Sequence, residues 1–268
     1  MEEKKKSNVG LIVLVVILLL ACICMGGFIF LNKDKIFTKD NTQTTENNKQ
    51  AKEEDTNKNL EVDDTLVKSL YNMTRSEYDK CDYPTQPLLL ENVGDKLTLS
   101  NMEDDYKGVI VYDYVTKNKE ISEEKMKEAF EKVFGPNTYK AMNTINFNAL
   151  GKINYDANSK KYTLTFDPNE PWGCVTHLYN KEKIINALQK GDTIQITTAY
   201  VFNGSFEAGL YKDSKGTEPL GVSMFINEDE NKTLSFIEEH KDELHQLSYT
   251  FKKYSDGNYY YLSVERTK

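Results

Sequence analysis

Residues 247–265 read LSYTFKKYSDGNYYYLSVE. Two runs rich in β-branched and aromatic residues, Leu247–Tyr254 and Tyr259–Glu265, flank Asp256-Gly257. That dipeptide tolerates the positive φ values of a tight hairpin turn, so the chain closes on an antiparallel pair. Side chains alternate along a strand. Tyr260, Leu262 and Val264 are therefore expected on one face and Tyr259 and Tyr261 on the other. At least one face of this last strand carries aromatic surface, either packed under a helix or open as a groove.

The same grammar extends upstream. Lys152–Asp156 and Lys160–Phe166 read as a hairpin around Ala157-Asn158-Ser159, and Thr193–Phe202 turns at Asn203-Gly204 into Phe206–Lys212. Thr233–Leu244 reads as an amphipathic helix and Asn180–Lys190 as a short helix stopped by Gly191. Ser122–Phe134 has the fullest helix signature. Ser122 caps it, Ile121 and Met126 form a staple, and Met126, Ala129, Phe130, Val133 and Phe134 make a stripe that ends at Gly135-Pro136. Ser100 and Glu103 have capping-box spacing ahead of Met102, Tyr106, Val109 and Ile110, with Gly108 an awkward member of that run. Asp63 is placed to cap a helix with Leu66, Leu70 and Met73 on one face and Val62 and Val67 as its staple. Helices first, then hairpins with interspersed helices, predict an α+β domain. Its antiparallel sheet has about five or six strands, packed on one face by N-terminal and interspersed helices.

Val9 to Leu31 holds no charged residue and is roughly 34 Å long as a helix, enough to cross a ~30 Å hydrocarbon layer. Residues 1–8 then form a short cytoplasmic tail, 9–31 a transmembrane helix, 32–59 a disordered polar linker and 60–268 an extracytoplasmic domain. A cleavable signal peptide has a shorter apolar core. Leu19-Leu20-Ala21-Cys22 is a tolerable lipobox in which Cys22 would be acylated, but the chain stays apolar through Leu31. Lysines flank the helix almost evenly, and the short N-terminal tail favours the N-in, C-out orientation. Cys81 and Cys174 are the only cysteines of the soluble part. They fit an extracytoplasmic disulfide worth about 4–5 kcal/mol on the chain-entropy account, and two unrelated buried thiols are the other reading.

The whole chain carries −8. Residues 1–32 contribute +1 and residues 33–60 sum to zero, so residues 61–268 carry −9. An acidic domain is poorly matched to nucleic acid, whose binding needs clustered cations on phosphates. Nearly every cation is Lys; Arg75 and Arg266 are the only arginines.

Catalytic signatures are sparse. His240 and His245 are five apart, about 140° around a helix, and do not share a face as a zinc pair does. His177 follows Cys174 by three with no second Cys-His pair to complete a zinc site, and a Cys-His dyad requires a free Cys174. Asp229-x-Asn231-x-Thr233 lacks the later glycine and glutamate of a calcium loop. No Gly-rich phosphate loop or nucleophile elbow occurs, so no metal, cofactor or catalytic residue is assigned.

One patch stands out: Asp167-Pro168-Asn169-Glu170-Pro171-Trp172-Gly173-Cys174. Two prolines stiffen a loop that carries the only Trp beside a candidate half-cystine. Displayed, Trp172 with Asp167 and Glu170 could contact a peptide or stack on a sugar; packed, it covers the disulfide. Tyr259 and Tyr261 pose the same choice and complete the candidate ligand-contact patch.

The anchor, the polar linker, Cys81 with the later Trp172-Gly173-Cys174, and the ending Tyr249-Thr250-Phe251-Lys252-Lys253 with Asp256-Gly257-Asn258-Tyr259-Tyr260-Tyr261 together resemble uncharacterised single-pass surface proteins of low-GC Gram-positive bacteria. The resemblance implies no catalytic residue. The sequence thus points to a membrane-tethered extracytoplasmic binding domain without catalysis, for a peptide, a glycan or a surface-protein partner. A cell-wall hydrolase using a carboxylate pair such as Asp167 and Glu170 is the alternative. A sensory ectodomain working with a membrane partner is another.

Overall fold

The computed structural model describes residues 57–75, 86–112, 114–115, 119–146, 151–165, 178–204, 208–226 and 230–268. The apolar segment 9–31, Cys22, Cys81, Asp167, Glu170, Trp172, Cys174 and His177 lie outside the described residues. Among the described residues no helix is long and apolar enough to cross a membrane.

The domain is α+β and its sheets are antiparallel, but there are two sheets where one was expected. The larger has six strands in the order β1 (Asn57–Leu60), β7 (Leu178–Lys190), β8 (Thr193–Gly204), β9 (Gln246–Lys253), β10 (Tyr259–Arg266) and β2 (Lys96–Thr98). Four strands that follow one another along the chain form its centre as a meander, and two short N-terminal strands close its edges. The smaller sheet runs β3 (Glu120–Ser122), β6 (Lys161–Thr165), β5 (Lys152–Asp156), β4 (Thr144–Asn146). The polar stretch expected to end at residue 59 therefore gives its last three residues to β1, where Asn57 pairs with Lys190 and Asn59 with Leu188.

Among the described residues five helices pack around these sheets: α1 (Thr65–Met73), α2 (Gln86–Val93), α3 (Asp104–Tyr112), α4 (Glu123–Phe134) and α5 (Glu230–His240). Their ends follow local chemistry. The Asp64 side chain, and not Asp63, caps α1 by accepting the Leu66 N–H at 2.7 Å; with the cap one residue later, Val62 is left 40% exposed and the expected staple does not form. Ser122 caps α4 by accepting the Lys125 N–H at 3.3 Å. Gly135 ends α4 at a φ of 97°, donating to the Glu131 carbonyl. The expected stripe of α4 is buried as a whole, each large side chain contributing about 1.5–3 kcal/mol relative to exposure.

Gly108 has its explanation in packing. A Cβ built on it would lie 2.6 Å from the Ile145 side chain of β4, so only glycine lets α3 approach the small sheet this closely. The expected helix 233–244 instead runs Glu230–His240. The chain then turns, with the Glu243 N–H donating to the His240 carbonyl, and Leu244 drops into the core.

The largest departure is Asn180–Lys190. Lys, Glu, Ala, Leu and Gln favour helix locally, yet this segment is strand β7, hydrogen-bonded to β1 on one side and β8 on the other. A bulge between Ile184 and Asn186 offsets the alternation. Ile184 packs in the main core on one face of the sheet, while Ile185 packs in a second cluster on the opposite face with Ala199, Val201, Ile237 and Leu244. Both faces of the large sheet therefore carry apolar clusters, not the one face expected.

A second bulge, between Tyr261 and Ser263, corrects the expected pattern of the last strand. Tyr261 lies opposite Phe251 and Val264 opposite Tyr249, so Val264 joins Tyr261 in the core and Leu262 is pushed out to 45% exposure. The turn itself is as expected: Gly257 has a φ of 85°, and Asp256 accepts from the Asn258 N–H and the Tyr260 hydroxyl. Among the described residues of the return after β8, Tyr211 forms isolated bridges to Phe202 and to Pro219.

Candidate binding cleft

A cleft of about 580 Å³ opens between α1, α4 and the start of β10. Leu66, Leu70 and Met73 of α1 form one wall and Tyr259 and Tyr260 the other, with Lys132 of α4 the only charged side chain lining it among the described residues. Leu66 is 41% exposed, so part of this wall is open apolar surface. Lys132 Nζ sits 4.8 Å from the centre of the Tyr114 ring, and Lys253 Nζ lies 5.8 Å from that of Tyr259. The floor is fixed by the hairpin. Tyr260 packs edge-on against Tyr254, and its hydroxyl donates to Asp256, which holds that carboxyl below its usual range.

Of the candidate contact residues, the described ones part company. Tyr259 is half-buried and lines this cleft. Tyr261 is 3% exposed and belongs to the core: its ring meets Phe251 and Phe134, and its hydroxyl donates to Gln86 Oε1 at 3.0 Å. It offers no surface to a ligand. Gln86 in turn donates to the Thr74 carbonyl at 3.1 Å, tying the end of α1 to β10 through one buried amide. The two described histidines have different surroundings. His240 stacks on Phe236 and faces Glu243, whereas His245 lies beside Tyr200 and faces Glu218.

Two further clefts, of about 480 and 520 Å³, flank α4. The first holds the Asp104–Lys107 ion pair at 2.8 Å, and the second is lined by Glu123, Glu124, Lys127 and Lys160 around Tyr139. Charge of both signs lines each, although Leu99, Phe130 and Met142 also give the first an apolar wall.

A deeply buried polar network lies on the core face of the large sheet. The Glu182 side chain has no solvent exposure. Its Oε1 accepts from Arg75 Nη1 at 2.8 Å, and its Oε2 from Thr198 at 3.0 Å and from the Tyr249 hydroxyl at 2.7 Å. Tyr71 meets Tyr249 edge-on at 5.6 Å. Burial and then the Glu182 charge push the Tyr249 phenol well above its usual value, which keeps it a donor. Paired charge with satisfied hydrogen bonds is how a carboxylate is tolerated at such depth. Sequence reasoning missed Glu182 because a helix over 180–190 would have exposed it. A signal did exist: both arginines of this Lys-rich chain enter buried polar clusters, where a planar fork does what an ammonium cannot.

Comparison of the chain with protein-family models, with curated proteins and with solved structures found no match.

Proposed function

We propose that the chain is a membrane-tethered extracytoplasmic binding domain whose α1–β10 cleft takes an aromatic or apolar side chain of a peptide partner, with an adjacent carboxylate meeting Lys132. The observation that carries this reading is the cleft's composition among the described residues: apolar and aromatic walls, one partly exposed leucine, and a single cation in a domain that is otherwise strongly acidic. Such a lining suits a few placed polar groups within mostly apolar contact area. The segment Val9–Leu31 supplies the tether and the polar stretch after it the spacer.

Two measurements test it. Impermeant maleimide on intact cells should label Cys81 and Cys174 only after reduction; labelling only after lysis puts the domain in the cytoplasm and ends the topological part. The full chain in detergent should bind short aromatic-acidic peptides in preference to their lysine-substituted counterparts. Leu66→Asp and Lys132→Glu should each weaken that binding about tenfold, one lost well-made contact being worth roughly 1.4 kcal/mol. Unchanged binding in both variants would move the site elsewhere.

A further inference from the structure

At the end of the large sheet remote from the β9–β10 turn, a second polar cluster is left incomplete. Register places Arg266 opposite Leu247, Leu247 opposite Thr198, and Glu182 opposite Tyr200, while the Tyr200 N–H donates to the His245 carbonyl. Arg266, His245 and Tyr200 are thus neighbours on the core face of β8–β10. The ring centres of Tyr200 and His245 are 6.1 Å apart, and the guanidinium of Arg266 is close enough to Tyr200 to act on its phenol.

What distinguishes the cluster is its unused donors. Arg266 Nε and Nη2 are shielded from solvent and have no hydrogen-bond partner, nor has His245 Nδ1; the Tyr200 hydroxyl, on a residue with 0% exposure, lies within reach of the Arg266 guanidinium but makes no well-aligned hydrogen bond. Nε–H and Nη2–H of one guanidinium point the same way and form a side-on fork spaced for two oxygens of one group. The neighbouring carboxylates are already engaged. Glu91 of α2 accepts from the Ser214 N–H and hydroxyl, and Glu182 holds Arg75, Thr198 and Tyr249. Guanidinium donors shielded from solvent with an empty fork are costly until an acceptor arrives.

We propose that the Arg266 fork and the Tyr200 hydroxyl form a receptor for an oxyanion, the carboxylate or phosphate group of a small solute, with His245 Nδ1 as the third contact. Burial keeps the Tyr200 phenol protonated and able to donate. Arg266 ends β10, and the exposed Thr267 and Lys268 beyond it are hydrogen-bonded to Gln246, next to His245. This site is separate from the α1–β10 cleft and does not depend on it.

Thermal melts of the full chain in detergent, titrated with inorganic phosphate and in parallel with acetate, decide the matter. Chloride at matched ionic strength serves as the control. A saturable rise in Tm with one or both oxyanions is expected, and the anion with the lower half-saturation names the group the site prefers. Arg266→Gln should weaken the half-saturation at least about tenfold, as a lost charge-assisted pair does. Should Arg266→Gln fail to fold, Tyr200→Phe keeps the buried ring and removes only the hydroxyl, and it should weaken the half-saturation severalfold. No saturable shift with either anion, or the same shift in the variants, overturns the proposal. So does a double-mutant cycle coupling Arg266 to Glu91 in a chain indifferent to both anions, since the fork would then belong to Glu91.

Discussion

Glu182 Oε1 lies 2.8 Å from Arg75 Nη1, joining the second residue past the end of α1 to the first half of β7 across 107 positions of sequence. The carboxylate is fully enclosed and the guanidinium only partly so, so the two ends of this pair have unequal consequences. Removing Arg75 strands a charge inside the sheet, whereas removing Glu182 leaves a cation that can still reach water.

Arg75→Met should therefore destabilise the fold by about 3 kcal/mol, in the range of a broken buried pair. Adding Glu182→Leu should recover only part of that, because the Thr198 and Tyr249 hydroxyls then lose their acceptor. Urea denaturation of the single and double variants measures both. A cost for Arg75→Met below about 0.5 kcal/mol would mean that the pair is a surface contact.

Gly108 and Ile145 make a second coupled pair. Gly108→Ala should cost about 1–3 kcal/mol, since its methyl would overlap the Ile145 side chain. Ile145→Val, mildly destabilising alone, should reduce the glycine penalty when combined with it. Strict additivity of the two in thermal melts would place the constraint elsewhere in α3.

The β10 bulge predicts opposite outcomes at adjacent positions. Leu262→Ser should be nearly neutral because the bulge directs Leu262 to solvent. Tyr261→Ala should cost about 3–5 kcal/mol, since it empties a core position and frees Gln86 from its hydroxyl partner. The reverse ranking would mean that β10 turns its other face to the core.

Alkaline pH should unfold the domain cooperatively. Burial raises the phenols of Tyr200, Tyr249 and Tyr261 above their ordinary value of 10.0, with the Glu182 charge adding to the effect on Tyr249. Folded, these groups stay protonated; unfolded, they ionise near pH 10. Above that pH the unfolded chain binds fewer protons than the native one, so stability falls as pH rises, by about 1.4 kcal/mol per pH unit for each such phenol. Below pH 10 they leave stability unchanged. Tyrosinate absorbance should rise together with the loss of near-ultraviolet circular dichroism. Ionisation of all tyrosines before any unfolding would contradict their burial.

The sequence by itself determined what is written in local chemistry. Ser122 and Gly135 bound α4, Asp256-Gly257 closes β9 on β10, and Ala157-Asn158-Ser159 turns β5 into β6, because caps and turns depend on side chains within a few residues of the backbone they serve. The α+β class and the antiparallel pairing follow from the same signals. Only the tertiary structure decided β7, both bulges and both arginine clusters. Residues 180–190 have helix-forming composition, and their strand state comes from hydrogen bonds to β1 and β8, the former more than a hundred residues away. Bulges shift which side chain faces the core without altering composition, so Tyr261 and Ile185 could not be placed by alternation alone. The candidate cleft was half legible: Tyr259 stood out as an aromatic on the last strand. Leu66 and Lys132 became its wall and its cation only when α1 and α4 met beside that strand. Long-range pairing is a cooperative free energy distributed over the whole sheet, and no window of a dozen residues contains it.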